Sequence, residues 1–246
     1  MKSFRVVKDL GVDDGRAQGA FEAFRFMDAD GDGRIQVNEL FRKLGIEKGN
    51  VFRARLFSLF DLNGDGSLGF REFVLALAPT YKGTQADRIR FAYRLFDQDG
   101  SLDVDRKEFV AIMDNLYRNR SKDISDAWRP KNANQYKLND KASKIIKEVD
   151  ADGDSTISFE EFGRLVDKYP TVMAPAYDIW RRLEMYAKPC GLVAQELRRS
   201  GKLEELYRSM GSAEYNAMRL RHERNLSGGP AGGGGGGGRG KRRAGR

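Results

Sequence analysis

The sequence predicts an all-α protein: helix–loop–helix units in two paired lobes, followed by a helical extension and a disordered basic tail. Three observations predict it. A twelve-residue acidic block recurs four times within the first 170 residues. Apolar residues flank every block at helical spacing. The last segment, residues 227–246, is mostly glycine and arginine, a composition that buries too little apolar surface to offset its chain entropy. These features divide the chain into an N-terminal arm (1–15), a first lobe (16–81), a second lobe (82–170) with an insert near 119–137, a helical extension (171–226) and the tail (227–246).

The blocks read DADGDGRIQVNE from Asp28, DLNGDGSLGFRE from Asp61, DQDGSLDVDRKE from Asp97 and DADGDSTISFEE from Asp150. Each opens with Asp, carries oxygen side chains at its first, third and fifth positions, and closes with Glu. The eighth residue is always aliphatic: Ile35, Leu68, Val104 and Ile157. Before each block stand apolar residues at one and four positions (Met27 and Phe24, Phe60 and Phe57, Phe96 and Tyr93, Val149 and Ile146). After each closing Glu comes Leu40, Phe73, Phe109 or Phe162. One helix face enters each loop and another leaves it.

This is the EF-hand pattern. Calcium is a hard cation that takes about six to eight oxygens, and alternate loop positions supply them. The seventh position contributes a backbone carbonyl, the twelfth Glu two oxygens, and a glycine in sixth place permits the sharp turn. The predicted ligands are Asp28, Asp30, Asp32, Arg34 and Glu39 in loop one, and Asp61, Asn63, Asp65, Ser67 and Glu72 in loop two. In loop three they are Asp97, Asp99, Ser101, Asp103, Asp105 and Glu108, and in loop four Asp150, Asp152, Asp154, Thr156 and Glu161. Ca2+ is the expected ion, with Mg2+ its competitor at resting calcium. The eighth-position aliphatics are expected to pair the loops two by two.

The loops are unequal. Gly33 and Gly66 hold the sixth place in loops one and two, whereas Ser155 and Leu102 hold it in loops four and three. A side chain in the left-handed conformation costs roughly 1–2 kcal/mol relative to glycine. That is about 5–30-fold in affinity if the ion-bound loop must adopt it. Loops one and two are therefore expected to fill first, then loop four, with loop three last or not at all.

The stretch FDLNGDGSLGFREFVLALAPTYKGTQADRIRFAYRLFDQDG and the segment EEFGRLVDKYPTV resemble the neuronal calcium sensor and calcineurin B-like branches of the calmodulin superfamily. The resemblance covers roughly residues 16–175. It implies a calcium sensor that exposes an apolar groove to a target protein helix. Two departures limit the transfer. Lys2 stands where that family usually has a glycine for myristoylation, so no lipid switch is expected. The first loop, usually ruined in that family, is intact.

Beyond the hands, Pro170, Pro175 and Pro189 punctuate the extension, which predicts one helix over Tyr177 to Tyr186 and another over Leu192 to Ser209, weakened by Gly201. Leu203, Leu206, Tyr207 and Met210 form one apolar face. That face either packs on the second lobe or serves as a built-in groove ligand that calcium or a partner displaces. From Ala187 onward, thirteen Lys or Arg outnumber five Asp or Glu, which accounts for the whole net charge of +8. Weak contact of the tail with an anionic membrane or nucleic acid is the corresponding expectation.

Other functions are excluded on composition. No apolar run spans a bilayer. Cys190 and His222 are single, so a zinc site or histidine-centred triad has no second member, and no phosphate-binding glycine loop or kinase signature occurs. The chain reads as a non-enzyme without a small-molecule substrate, in a reducing, cytoplasmic setting, with peripheral membrane or nuclear association left open by the tail. A calcium buffer is the first alternative. The second is a regulatory EF-hand subunit of a membrane enzyme, since the EF-hand modules of NADPH oxidases look similar.

Overall fold

A computed structural model describes residues 14–118 and 135–209. Most of the N-terminal arm, most of the 119–137 insert, Met210 and the tail lie outside the described residues.

Hand one runs α1 (Asp14–Met27), β1 (Ile35–Gln36) and α2 (Val37–Leu44); hand two runs α3 (Arg53–Phe60), β2 (Ser67–Leu68) and α4 (Phe70–Leu77). Hand three comprises α5 (Gln85–Phe96) and α6 (Arg106–Arg118), and hand four α7 (Gln135–Val149) and α8 (Phe159–Lys168). Short 3-10 turns, Ala78–Thr80 and Pro170–Met173, follow the second and fourth hands. Local chemistry sets several boundaries. The Thr84 hydroxyl accepts from the Asp87 amide while Asp87 accepts from the Thr84 amide, so the two satisfy each other's orphan donors at the start of α5. Gly45 at φ 63° ends α2 in the left-handed conformation.

The loops pair as the eighth-position aliphatics predict. Ile35 faces Leu68 in an antiparallel two-strand sheet. Val104 and Ile157 form an isolated antiparallel bridge, each donating its amide to the other's carbonyl, at 3.0 and 2.9 Å. Every helix face that enters a loop is buried, and phenylalanine dominates the core. Phe24 meets Phe70 and Phe73 edge-on at 5.6 Å, and Phe96 touches both Phe52 of hand two and Phe162 of hand four. The hydrophobic core is continuous across the four hands.

The extension departs from expectation. In place of two helices split by Pro189, one helix, α9 (Ala174–Arg199), runs 26 residues straight through that proline. Proline removes one backbone donor and normally breaks a helix interior. Here tertiary burial overrides it, because Leu183, Ala187, Cys190, Val193 and Leu197 are all buried on both sides of the proline. The break falls instead at Gly201, φ 73°, after which α10 (Lys202–Ser209) turns back. Leu203 and Leu206 of α10 are buried against α9.

It is α9 that covers the first lobe. It lies on α1, α4 and the Ala78–Thr80 turn. The approach is close enough to need glycines. A Cβ on Gly191 would lie 2.3–2.6 Å from three Tyr81 side-chain atoms, and one on Gly83 would lie 2.5 Å from the Trp180 ring. The Arg182 guanidinium donates to the Leu44 and Gly45 carbonyls at 3.0 and 2.6 Å, and Tyr186 stacks on Phe26. Cys190 of α9 is fully buried, and burial pushes its thiol well above the ordinary range, as expected of an inert packing group.

Candidate metal centres

The backbone of each loop is shaped by two left-handed residues. At the sixth position Gly33 and Gly66 have φ 90° and 84°, and Leu102 and Ser155 take the same conformation at 76° and 70°. The turn requirement read from sequence thus holds even where glycine is missing. The fourth position is also left-handed in every loop, at Gly31, Gly64, Gly100 and Gly153. A glycine at that place in all four copies is the sequence signal for this second turn, and a reading confined to the sixth position misses it.

The first Asp organises each turn. Its two carboxylate oxygens accept amides from inside the loop: Asp28 from Gly31 and Gly33, Asp97 from Gly100 and Leu102, Asp150 from Gly153 and Ser155. Asp61 does the same from Asp65 and Gly66. The third-position side chain accepts the fifth amide in loops one, two, three and four alike, through Asp30, Asn63, Asp99 and Asp152.

The closing Glu begins the exit helix yet reaches back across the loop. Glu39 accepts the Ala29 amide at 2.8 Å and the Gln36 amide at 2.9 Å, and Glu108 accepts Gln98 at 2.6 Å and Asp105 at 2.9 Å. Glu72 and Glu161 repeat this with Asn63 and Gly69, and with Ala151 and Ser158. All four are buried. A carboxylate fixed over the loop opening in this way can offer two oxygens without rearranging its helix.

The ligand oxygens converge in three loops. Within 4.8 Å of one another lie Asp28, Asp30 and Asp32; Asp97, Asp99 and Glu108; and Asp150, Asp152 and Glu161. Loop two forms no such trio among the described residues. Asn63 replaces one carboxylate there, and Arg34 from the seventh position of loop one pairs with Asp65 and also donates to Ser67. Burial would raise Asp65, but the Arg34 guanidinium and hydrogen bonds from Ser67 and Asn63 outweigh it and hold the carboxyl down at about 2. Burial raises Glu72, Asp97 and Glu108 above the usual carboxylate range. Glu161 goes the other way: burial pushes it up, but the amides of Ala151 and Ser158, the Ser158 hydroxyl and Arg164 together pull it lower.

Of the remaining predicted ligands, Asp103 is half-buried beside the Tyr93 hydroxyl and Asp154 accepts both the amide and the hydroxyl of Thr156. Ser101 donates its hydroxyl to the Asp103 carbonyl, and Asp105 holds the Glu108 amide. These are all-oxygen donor sets, hard and anionic, and they fit a hard divalent cation such as calcium. One interaction is not legible in the sequence: Arg55 of α3 donates to Asp97, the first residue of loop three, at 3.2 Å.

Comparison with known proteins agrees with this geometry. The family described as the EF-hand domain pair matches residues 18–77 and 86–166. The chain is 31% identical over 147 residues to the calcineurin B protein of Naegleria gruberi, a calcineurin subunit, covering 58% of this chain and 75% of that one. It is 31% identical over 145 residues to the type 2 calcineurin B protein of Rattus norvegicus, with the same coverage. It is 24% identical over 173 residues to guanylyl cyclase-activating protein 2 of Gallus gallus, covering 68% of this chain and 82% of that one. Two paired sets of helix–loop–helix units, each loop carrying its acidic ligand set and closing Glu, place the chain in the EF-hand domain pair family of calcium-binding repeat proteins.

Proposed function

We propose that this chain is a calcium sensor that regulates a partner protein, with its own helix α9 as the occupant that the partner displaces. The observation that carries the reading is the placement of α9: an amphipathic helix, C-terminal to the hands, lies with its apolar face on the first lobe, as a helix-in-groove ligand would. Calcium in loops one and two would be held by Asp28, Asp30, Asp32 and Glu39, and by Asp61, Asn63, Asp65 and Glu72. It would supply a charge that fixes the exit helices relative to the entering ones. The relatives named above are a subunit and an activating protein, which supports a regulatory role rather than catalysis.

Hydrogen exchange across α9 tests the proposal. Calcium saturation should speed exchange at the Ile179–Val193 amides and increase binding of a hydrophobic dye. Glu39→Gln and Glu72→Gln should each suppress both effects more than Glu108→Gln does. Unchanged α9 exchange at saturating calcium would show a buffer instead.

A further inference from the structure

Arg55 and loop three lie in different lobes, yet the arginine is built into the loop. Its Nε donates to the Arg94 carbonyl at 2.9 Å and a terminal nitrogen to Asp97 at 3.2 Å. A Cβ on Gly100 would lie 3.3 Å from the other terminal nitrogen, so the guanidinium rests directly against the loop backbone. Arg55 is 8% exposed and Asp97 1%. By contrast, Arg34 beside Asp65 and Arg164 beside Glu161 are 42% and 55% exposed, where solvent screens the pair and the side chain can swing away. Arg55 has no such freedom. Phe52, three residues before it, packs on Phe96, the residue before Asp97, and holds α3 against the mouth of loop three.

We propose that Arg55 is the residue that sets the calcium affinity of loop three, by keeping a buried positive charge on its first ligand. A guanidinium and a divalent cation that share one carboxylate in a poorly screened site repel each other, so either weakens the other's hold. The Arg55 charge then weakens loop three independently of the Leu102 turn, which is already left-handed in the loop, and sequence inspection of the loop reveals only the turn. Because Arg55 stands on the entering helix of hand two, loop three also senses the position of that helix. Any rearrangement of hand two that withdraws α3 releases Asp97, and filling of loop three loosens α3 in return. This inference rests on the reading that the loops bind calcium.

Residue-resolved calcium titration by NMR tests it, with the sixth-position amides of Gly33, Gly66, Leu102 and Ser155 as one reporter per loop. Arg55→Met keeps the aliphatic stem and removes the charge. It should shift the Leu102 midpoint about tenfold toward lower calcium, with the Gly33 and Ser155 midpoints moving less than about twofold. In the unmodified protein the Arg55 Nε–H resonance should move with the Leu102 midpoint, a measurement that needs no variant to fold. An unmoved Leu102 midpoint in Arg55→Met, or an Arg55 Nε–H signal that stays fixed while loop three fills, overturns the role of Arg55 and leaves calcium binding intact. Absence of calcium-dependent shifts at all four reporters would overturn the calcium reading itself.

Discussion

Replacing Gly191 by alanine sets two effects of opposite sign against each other. Gly191 lies inside α9, where alanine is the better helix former by about 0.8–1.0 kcal/mol. If α9 were merely a helix lying loosely on the surface, Gly191→Ala would stabilise the protein. The structure predicts the reverse. The new methyl would sit 2.3, 2.4 and 2.6 Å from Tyr81 Cδ1, Cβ and Cγ. Ordinary contact is about 3.5–4.0 Å, so roughly 1 Å of separation must open. The Tyr81 Cβ is too close to its own backbone for a rotamer change to relieve that contact, so α9 itself or the Ala78–Thr80 turn has to move. Overpacking of this kind costs about 1–3 kcal/mol. After subtracting the helix gain, a net loss on the order of 1 kcal/mol remains, and for a chain of this size each kcal/mol lowers Tm by about 2–4 °C. Urea and thermal unfolding of the full chain measure it, and dye binding without calcium should rise as α9 lifts. A Tm equal to or above that of the parent would refute the close docking of α9 on the first lobe.

Two further expectations concern the loops. Leu102→Gly and Ser155→Gly relieve a side chain held at positive φ, worth roughly 1–2 kcal/mol, less the extra freedom of glycine in the unfolded chain, about 0.5–1 kcal/mol; unfolding of each variant should show a gain of up to about 1.5 kcal/mol, larger for Leu102. Acidification should empty the loops unequally, as calorimetric titrations at stepped pH would record. Glu72, Asp97 and Glu108 have raised carboxyls, so they take up protons first as pH falls, and loops two and three lose affinity while loop four, with Glu161 held low, retains it. The same signs govern folding without the ion. The raised carboxyls oppose folding at neutral pH and do so less as pH falls through their folded values. Asp65, held at about 2, contributes stability above the unfolded carboxylate range that is lost only as pH falls toward that value.

What sequence could and could not disclose follows from the range of the interactions. The loops are legible because each is a local device: ligands, turn and closing Glu lie within twelve residues, and even the left-handed Leu102 and Ser155 can be anticipated from their place in the repeat. Pairing of Ile35 with Leu68 and Val104 with Ile157 is legible because the repeat brings equivalent positions together. The extension misleads because Pro189 is a strong local signal that buried neighbours on both sides outweigh. Arg55 escapes for a different reason. It stands 42 residues from Asp97, and nothing in either local pattern indicates that two hands meet there.

The junction between hand four and α9 has a mechanical consequence. Only Tyr169 and the Pro170–Met173 turn separate the exit helix α8 from the start of α9, and the Tyr169 hydroxyl and Lys168 ammonium are both tied to Glu148 on the entering helix α7. With so little slack, a change in the direction of α8 would pass straight to α9, whose apolar face rests largely on the first lobe. At 1.5 Å rise per residue its 26 residues span about 39 Å, so a tilt of only about 1° at its start would move the far end by roughly 0.7 Å. An adjustment around loop four would thereby be felt on the face built by α1, α4 and the Ala78–Thr80 turn.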